Sequence, residues 1–274
     1  MAKKPTHLPR QPHRGPRIPE PFDSPTAASS SQFGWSSTNW SGYAIASNTS
    51  GTYQSVSAAW KVPQVKASSQ PTPAPSSWWQ AFLQWFKSLF GTSRLSDAYS
   101  ATWIGIDGFN DQSLIQCGTS QNIVNGSPQY NAWWEILPNP ETPIDSTQYP
   151  LDANDQIVAD ISKKSDGTWT ITMQNQTKGW TFLKNKVQYS GPQTSVEWIE
   201  EAPMVGYSVA ALADYGGVFI HNCTVNGGNP HLQPSQSGVM VQNGQTVSTP
   251  SSPGLNGNDF NLQYGATVPN SPSS

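Results

Sequence analysis

The chain has 274 residues and a formal net charge of −3, long enough for one large β domain or two smaller ones with a substantial core. Only 11% of its residues are charged, against roughly 25% in a typical soluble domain, and Ser, Thr, Asn, Gln and Gly take their place. No run approaches the ~18 apolar residues of a membrane-spanning helix, and the slightly acidic balance excludes a broadly basic nucleic-acid binder. A surface this poor in carboxylates changes little in charge on acidification, which fits acid tolerance as well as it fits an ordinary Ser/Thr-rich secreted β-protein.

The chain opens on a basic, Pro-rich head. Lys3, Lys4, Arg10, Arg14 and Arg17 precede the first acid, Glu20, and Pro5, Pro9, Pro12, Pro16, Pro19 and Pro21 favour an extended, poorly ordered segment over 1–34. Five cations without interleaved aromatics make a weak nucleic-acid tail. A pro-segment lying on the acidic body, or a leader without a role, reads as well. The head carries no apolar signal core.

From Gln32 onward, short runs alternate apolar and polar residues between Gly, Pro, Asn and Asp. Ser55 to Val62, Thr168 to Met173 and Gly217 to Val225 are examples. This is the pattern of antiparallel strands in two packed sheets. One segment departs from it. Ser76-Ser77, an apolar stripe from Trp78 to Phe90 and then Gly91 predict a short amphipathic helix, inserted within 66–97. At 1.5 Å per residue it spans about 20 Å, too short to cross a bilayer. Cys117 and Cys223 could pair, although the commoner state of a lone Cys in a strand is buried and free. The reading is a single all-β sandwich over 35–268, followed by a tail, 269–274.

Metal and nucleophile chemistry find no support. His7 and His13 lie in the head, His221 and His231 are isolated, and no Gly-x-Ser-x-Gly occurs. Carboxylates remain. Glu135 follows Trp133-Trp134 in an apolar strand, where an acid is costly unless paired or purposeful. In Glu197-Trp198-Ile199-Glu200-Glu201, alternation puts Glu197 and Glu201 on one face and Glu200 on the other, where it is expected to be solvated. Acids in Trp-bearing strands suggest a cleft. Two carboxyls would suit a glycosidase; one carboxylate with a neutral donor would suit a peptidase; and a lectin-like carbohydrate-binding module would use the same tryptophans. Spacing does not separate the three.

A family resemblance does. Asn39-Trp40-Ser41-Gly42-Tyr43-Ala44, Trp60-Lys61-Val62-Pro63, Trp103-Ile104-Gly105-Ile106-Asp107-Gly108, Leu114-Ile115-Gln116-Cys117-Gly118, Tyr130-Asn131-Ala132-Trp133-Trp134-Glu135 and Glu197-Trp198-Ile199-Glu200-Glu201 resemble, in order, the motifs of the glutamic peptidases (eqolisins). The resemblance implies a concanavalin A-like β-sandwich and an acid endopeptidase with no cofactor or metal. It implies Gln116 and Glu201 as a catalytic dyad: Glu201 as general base and then acid on a water, and the Gln116 amide as oxyanion donor. Trp103, Asp107 and Glu135 would orient the dyad, and Glu197 would be a hydrogen-bonded structural acid. Trp40 and Trp133 would line an apolar substrate groove. A carboxylate base suits acid, since glutamates titrate near 4.3, where a histidine base is already protonated.

The family also implies protein or peptide substrates, secretion and indifference to inhibitors aimed at paired aspartates; a monomer with no nucleic-acid partner is expected. The sequence departs from the pattern at Asn131, where an acid is usual and the change would alter a hydrogen bond to the catalytic network or the pH optimum, and at Glu200, where an apolar residue is usual. Two cysteines are too few for the fungal disulfide pattern and resemble a prokaryotic member.

Overall fold

The computed structural model describes residues 33–69, 97–205 and 208–273. The helix expected over 78–90 and most of the 1–34 head lie outside these residues. Among the described residues there is no α-helix, only strands and one 3-10 turn at Pro234–Gln236. In chain order the strands are β1 (Trp35–Ser37), β2 (Trp40–Ala46), β3 (Ser55–Lys61), β4 (Ala98–Ile106), β5 (Ile115–Val124) and β6 (Ser127–Ile136). Next come β7 (Thr142–Pro143), β8 (Gln156–Lys163), β9 (Trp169–Asn175), β10 (Trp180–Val187), β11 (Ser195–Glu201), β12 (Met204–Val205) and β13 (Ser208–Val209). The last four are β14 (Gly217–Val225), β15 (Ser237–Gln242), β16 (Gln245–Pro250) and β17 (Phe260–Tyr264).

Fifteen strands hydrogen-bond into one continuous sheet, ordered β10-β9-β8-β3-β14-β17-β16-β15-β2-β11-β4-β5-β6-β7, with β1 added beside β15; β12 and β13 form a separate hairpin. The β1–β15 ladder is parallel and the other ladders are antiparallel. Two tryptophans show how the ribbon turns back over itself. Trp60 of β3 donates its indole N–H to Thr119 Oγ1 of β5 at 3.0 Å. Trp198 of β11 donates to the Ser57 carbonyl of β3 at 3.0 Å. These strands are remote along the sheet, so the β3 limb and the β11–β5 limb face each other across a core.

That core contains Tyr43, Trp60, Trp169, Trp198, Tyr215 and Phe260, all fully buried. Burying aromatic surface of 150–250 Å² per side chain supplies most of the driving force at about 25 cal/mol per Å². On β8 the alternation of the sequence maps directly onto burial: Ile157, Ala159 and Ile161 point inward. On β4 and β11 every residue is buried, because the face turned away from the core carries a second apolar cluster of Trp40, Ala101, Trp103, Leu114, Trp133 and Ile199. Cys117 and Cys223 are free and buried.

Because the Trp60 indole both fills the core and ties the two limbs, Trp60→Phe should cost about 2 kcal/mol, from a lost buried hydrogen bond plus a partial cavity. Leu183→Ala, at a side chain 53% exposed, should cost less than about 0.5 kcal/mol. Denaturant unfolding of the two variants checks the difference.

Candidate active site

Directly opposed residues on antiparallel strands share a face, so the ladder registers define rows of side chains across β2, β11, β4, β5 and β6. One row runs Trp40, Glu201, Ala101, Ser120, Asn131. The next runs Gly42, Ile199, Trp103, Gly118, Trp133. The third runs Ala44, Glu197, Gly105, Gln116, Glu135. Glu201 and Gln116 therefore lie on one face, in the two rows that flank Trp103.

The Trp103 indole bridges those rows. Its Nε1 donates to Glu201 Oε2 at 2.7 Å. Its far edge reaches Gly105, the residue opposite Gln116, where an added Cβ would sit 2.9 Å from Cζ3. Gly118 is required on the other side: a Cβ there would stand 2.4 Å from the Thr102 carbonyl oxygen and 2.5 Å from Trp103 Cβ. The glycines of the Trp-Ile-Gly and Gln-Cys-Gly motifs thus make room for one ring.

Glu201 is fully buried and receives a second, longer bond from Asn39 Nδ2 at 3.4 Å. Ser37 fixes that asparagine, donating to Asn39 Oδ1 at 3.0 Å while its own hydroxyl oxygen accepts from the backbone N–H of Asn39 and Trp40, both at 3.2 Å. Gln116 is fully buried too, and its Nε2 donates to Glu135 Oε2 at 2.6 Å. A bond this short to a carboxylate fixes which end of the amide is nitrogen. Gln116 Oε1 is buried and accepts no hydrogen bond from the described residues, an arrangement that costs stability and is characteristic of functional sites.

Asp107 acts at the end of β4. It sits in the left-handed region (φ 66°), followed by Gly108 at φ 94°, which is why the sequence reads Asp-Gly there. Its carboxylate accepts from the backbone N–H of Thr194 (2.7 Å) and of Gln193 (2.8 Å) and from the Tyr189 hydroxyl (2.6 Å). Burial, reinforced by the Asp107 charge, pushes the Tyr189 phenol far above its usual range, so it stays a donor. Asp107 thus pins the 189–195 connection that enters β11 and sets the strand carrying Glu201.

The expected residues do not all take the expected places. Trp40 and Trp133 are buried in the floor, the Trp40 and Trp103 rings meeting edge-on at 4.9 Å, so they support the site from below. Asn131 is half-buried on β6, opposite Ser120, with β4 and β5 between it and Glu201. Glu197 is buried in the Gln116 row, and burial, with a smaller contribution from Glu197, raises the pKa of the Tyr53 phenol. Glu200, expected to be solvated, is fully buried on the core face, because the β3 limb covers that face. Asn39 was visible in the first motif, but only the fold shows it reaching Glu201. Among the described residues no three His, Cys, Asp or Glu side chains converge as metal ligands would, and no helix is long and apolar enough to cross a membrane.

The fold buries an acid and an amide on one face of its sheet, each oriented by its own partner, and the comparisons with known proteins give its class. Residues 38–264 match the Peptidase A4 family. Over 235 residues the chain is 29% identical to aspergillopepsin-2 of Aspergillus niger, covering 83% of this chain and 78% of that protein. The fold is similar to that of scytalido-glutamic peptidase crystallised with a transition-state analogue inhibitor, at 20% identity and a TM-score of 0.61 over 83% of this chain and 98% of that one. Aspergilloglutamic peptidase from Aspergillus niger is 25% identical with a TM-score of 0.53, over 61% and 99% of the two chains. With most of its length matched, the chain belongs to the peptidase A4 family. It is an acid endopeptidase of the glutamic type.

Trp103→Phe deletes the donor to Glu201 Oε2 and leaves part of the bicyclic ring's space empty in the apolar cluster. The lost buried hydrogen bond and the partial cavity should together lower the unfolding free energy by about 2–3 kcal/mol in denaturant titrations. Asp107→Ala strands two backbone N–H groups and the Tyr189 hydroxyl, and should lower unfolding free energy by about 2–4 kcal/mol in denaturant titrations.

Proposed function

We propose that Gln116 and Glu201 are the catalytic dyad and that peptide bonds are hydrolysed by water activated between them. The observation that carries this reading is that a buried acid and a buried amide flank one indole on the same face, each held by its own partner. Glu201, as carboxylate, takes a proton from water, and the hydroxide attacks the scissile carbonyl carbon. The Gln116 N–H not engaged by Glu135 donates to the oxygen as it becomes negative. Glu201 then returns its proton to the leaving nitrogen, and the C–N bond breaks. An amide stays a donor at any working pH, which suits acid. Glu135 and Trp103 hold the two groups; Asp107 holds the strand.

Several features support this over its rivals. Glu135 is engaged by Gln116 rather than standing as an independent proton donor, which disfavours a two-carboxylate glycosidase. The site's tryptophans are buried, which disfavours a lectin-like module. The folding-back of the sheet supports a two-layered, lectin-type sandwich over 35–268, with an insertion around 66–97 and a tail at 269–274. On this reading the basic head, 1–34, has the composition of a removable pro-segment. The enzyme works outside the cell as a monomer on acid-loosened proteins, without a cofactor and unaffected by inhibitors of paired aspartates. Its two free cysteines fit a prokaryotic member.

The test is hydrolysis of a denatured protein from about pH 2 to 7, after acid incubation to release the head. Gln116→Ala and Glu201→Gln should each lose activity by at least about 10³-fold while circular dichroism is unchanged. A Gln116→Ala enzyme that remains active would sink the dyad.

A further inference from the structure

Glu200 carries an inference beyond the dyad. It sits on β11 between Ser41 of β2 and Thr102 of β4, its register partners, and it is fully buried on the face opposite Glu201. A buried carboxylate must find a cation, several donors, or a proton. The groups packed against it are Ser41 from β2, Thr102 and Ser100 from β4, Gln121 from β5 and Tyr215 from the segment before β14. The titratable groups that act on it are Glu201 and Tyr215. Neither is a cation.

The hydrogen bonds say which form the site holds. Thr102 Oγ1 lies 2.6 Å from Glu200 Oε2 and 2.8 Å from the Gln121 amide. With nitrogen toward Thr102, the amide oxygen of Gln121 would face the Thr119 carbonyl. Turned over, its nitrogen donates to Thr119 O at 3.2 Å and its oxygen accepts from Thr102 Oγ1 at 2.8 Å and from Thr102 N at 3.3 Å. That orientation satisfies both ends of the amide, and we adopt it. Thr102 has one hydroxyl proton, and it is then given to Gln121. The 2.6 Å contact to Glu200 must therefore be donated by Glu200. The same orientation sets the Gln121 oxygen 3.5 Å from Glu200 Oε1, tolerable beside a neutral acid and repulsive beside a carboxylate.

The network lies directly under the site. Thr102 precedes Trp103, and Glu200 precedes Glu201. On the core face Glu200 bonds Thr102; on the site face Trp103 bonds Glu201. The two contacts fasten the same two strands from both sides. Gln121 extends the core-face clamp to β5, the strand that carries Gln116. Ionised, Glu200 could keep Thr102 only by taking the hydroxyl proton from Gln121, which breaks the link to β5, and it would place a second negative charge one residue from Glu201.

We propose that Glu200 is a positioning residue: as a neutral acid it clamps β11 to β4 and β5 beneath the reacting groups, and loss of its proton sets the upper pH limit of the assembled site. The inference rests on the reading of Glu201 as the reacting carboxylate. Burial foremost, with the Glu201 charge a minor contribution, raises Glu200 from 4.5 to about 7. The sign follows. Below pH 4.5 the side chain is protonated both folded and unfolded. Between 4.5 and about 7 the unfolded chain gives up a proton that the folded chain keeps, so stability falls as pH rises through this window.

The experiment compares the full chain with Glu200→Gln and Glu201→Gln, following thermal unfolding and hydrolysis of a denatured protein from about pH 3 to 8. Glutamine mimics the neutral acid at every pH. Glu200→Gln should keep turnover in acid within about 2-fold of the parent, lose most of the fall in Tm between pH 4.5 and about 7, and stay active to higher pH. Parallel Tm curves for parent and Glu200→Gln would overturn the proposal. Glu201→Gln should be inactive yet follow the parent's Tm curve. If instead Glu200→Gln abolishes turnover with its fold intact while Glu201→Gln retains it, the two glutamates exchange roles and the dyad reading falls with the proposal. Should Glu200→Gln not fold, carboxyl-13C glutamate labelling of the parent answers the question. One resonance, displaced by Thr102→Val, should keep its protonated shift to about pH 7; titration of all glutamates below about pH 5 would overturn the proposal.

Discussion

One indole organises this molecule's chemistry. Trp103 has to lie flat on the sheet, give its N–H to Glu201 and extend toward the strand of Gln116, and the neighbouring positions must be nearly empty for that to happen. Gly105 and Gly118 supply the emptiness; at either, a single added carbon would strike the ring, its Cβ or the adjoining backbone. Trp40, Trp133, Leu114 and Ile199 then pack around the ring, so it cannot tilt away without opening a void in a dense apolar cluster. The site's precision is a packing property before it is a hydrogen-bonding one.

Packing on this outer face explains a feature that a simple sheet lacks. β4 and β11 are buried at every position, with the main core on one side and the tryptophan floor on the other. Polar side chains in these strands are therefore all desolvated, and each needs an explicit partner. The strands answer with short, directed bonds: Gln116 to Glu135, Thr102 with Glu200, Trp103 to Glu201, and the backbone N–H groups gathered by Asp107. Each bond joins neighbouring strands or a strand to its incoming loop. The polar groups consequently fix register as well as chemistry, since a one-residue slip would turn Glu201 into the core and Glu200 onto the floor.

A chain with so few charges places several of its acids where water cannot reach them. Glu135, Glu197, Glu200 and Glu201 are all buried. For Glu200, which burial raises to about 7, the contribution to stability is present in acid and is lost as the pH rises through its titration. That one group ties part of the fold's stability to low pH.

Much of this was legible in the sequence, and the reasons for the remainder are physical. Period-two alternation marks β3, β8, β9 and β14 because water wets one side of them, and Asp-Gly after β4 marks its turn because few other pairs accept two successive positive φ values. The acid–tryptophan strands announced a site, and the ordered motifs from Asn39 to Glu201 announced its family. The roles of Asn39 and Thr102 were not legible, because their partners lie 162 and 98 residues away along the chain, and that of Gln121 was not because it depends on the register of β5 beside β4. Alternation put Glu200 opposite Glu201 but could not say that a second layer covers that face, so a buried acid read as a solvated one. The sequence by itself determined strands, turns and the chemical groups available, since these follow from neighbours along the chain. Which acid meets an indole, which meets a hydroxyl and which is sealed from water was decided by the folding of one sheet back over itself, because desolvation depends on what lies across the core.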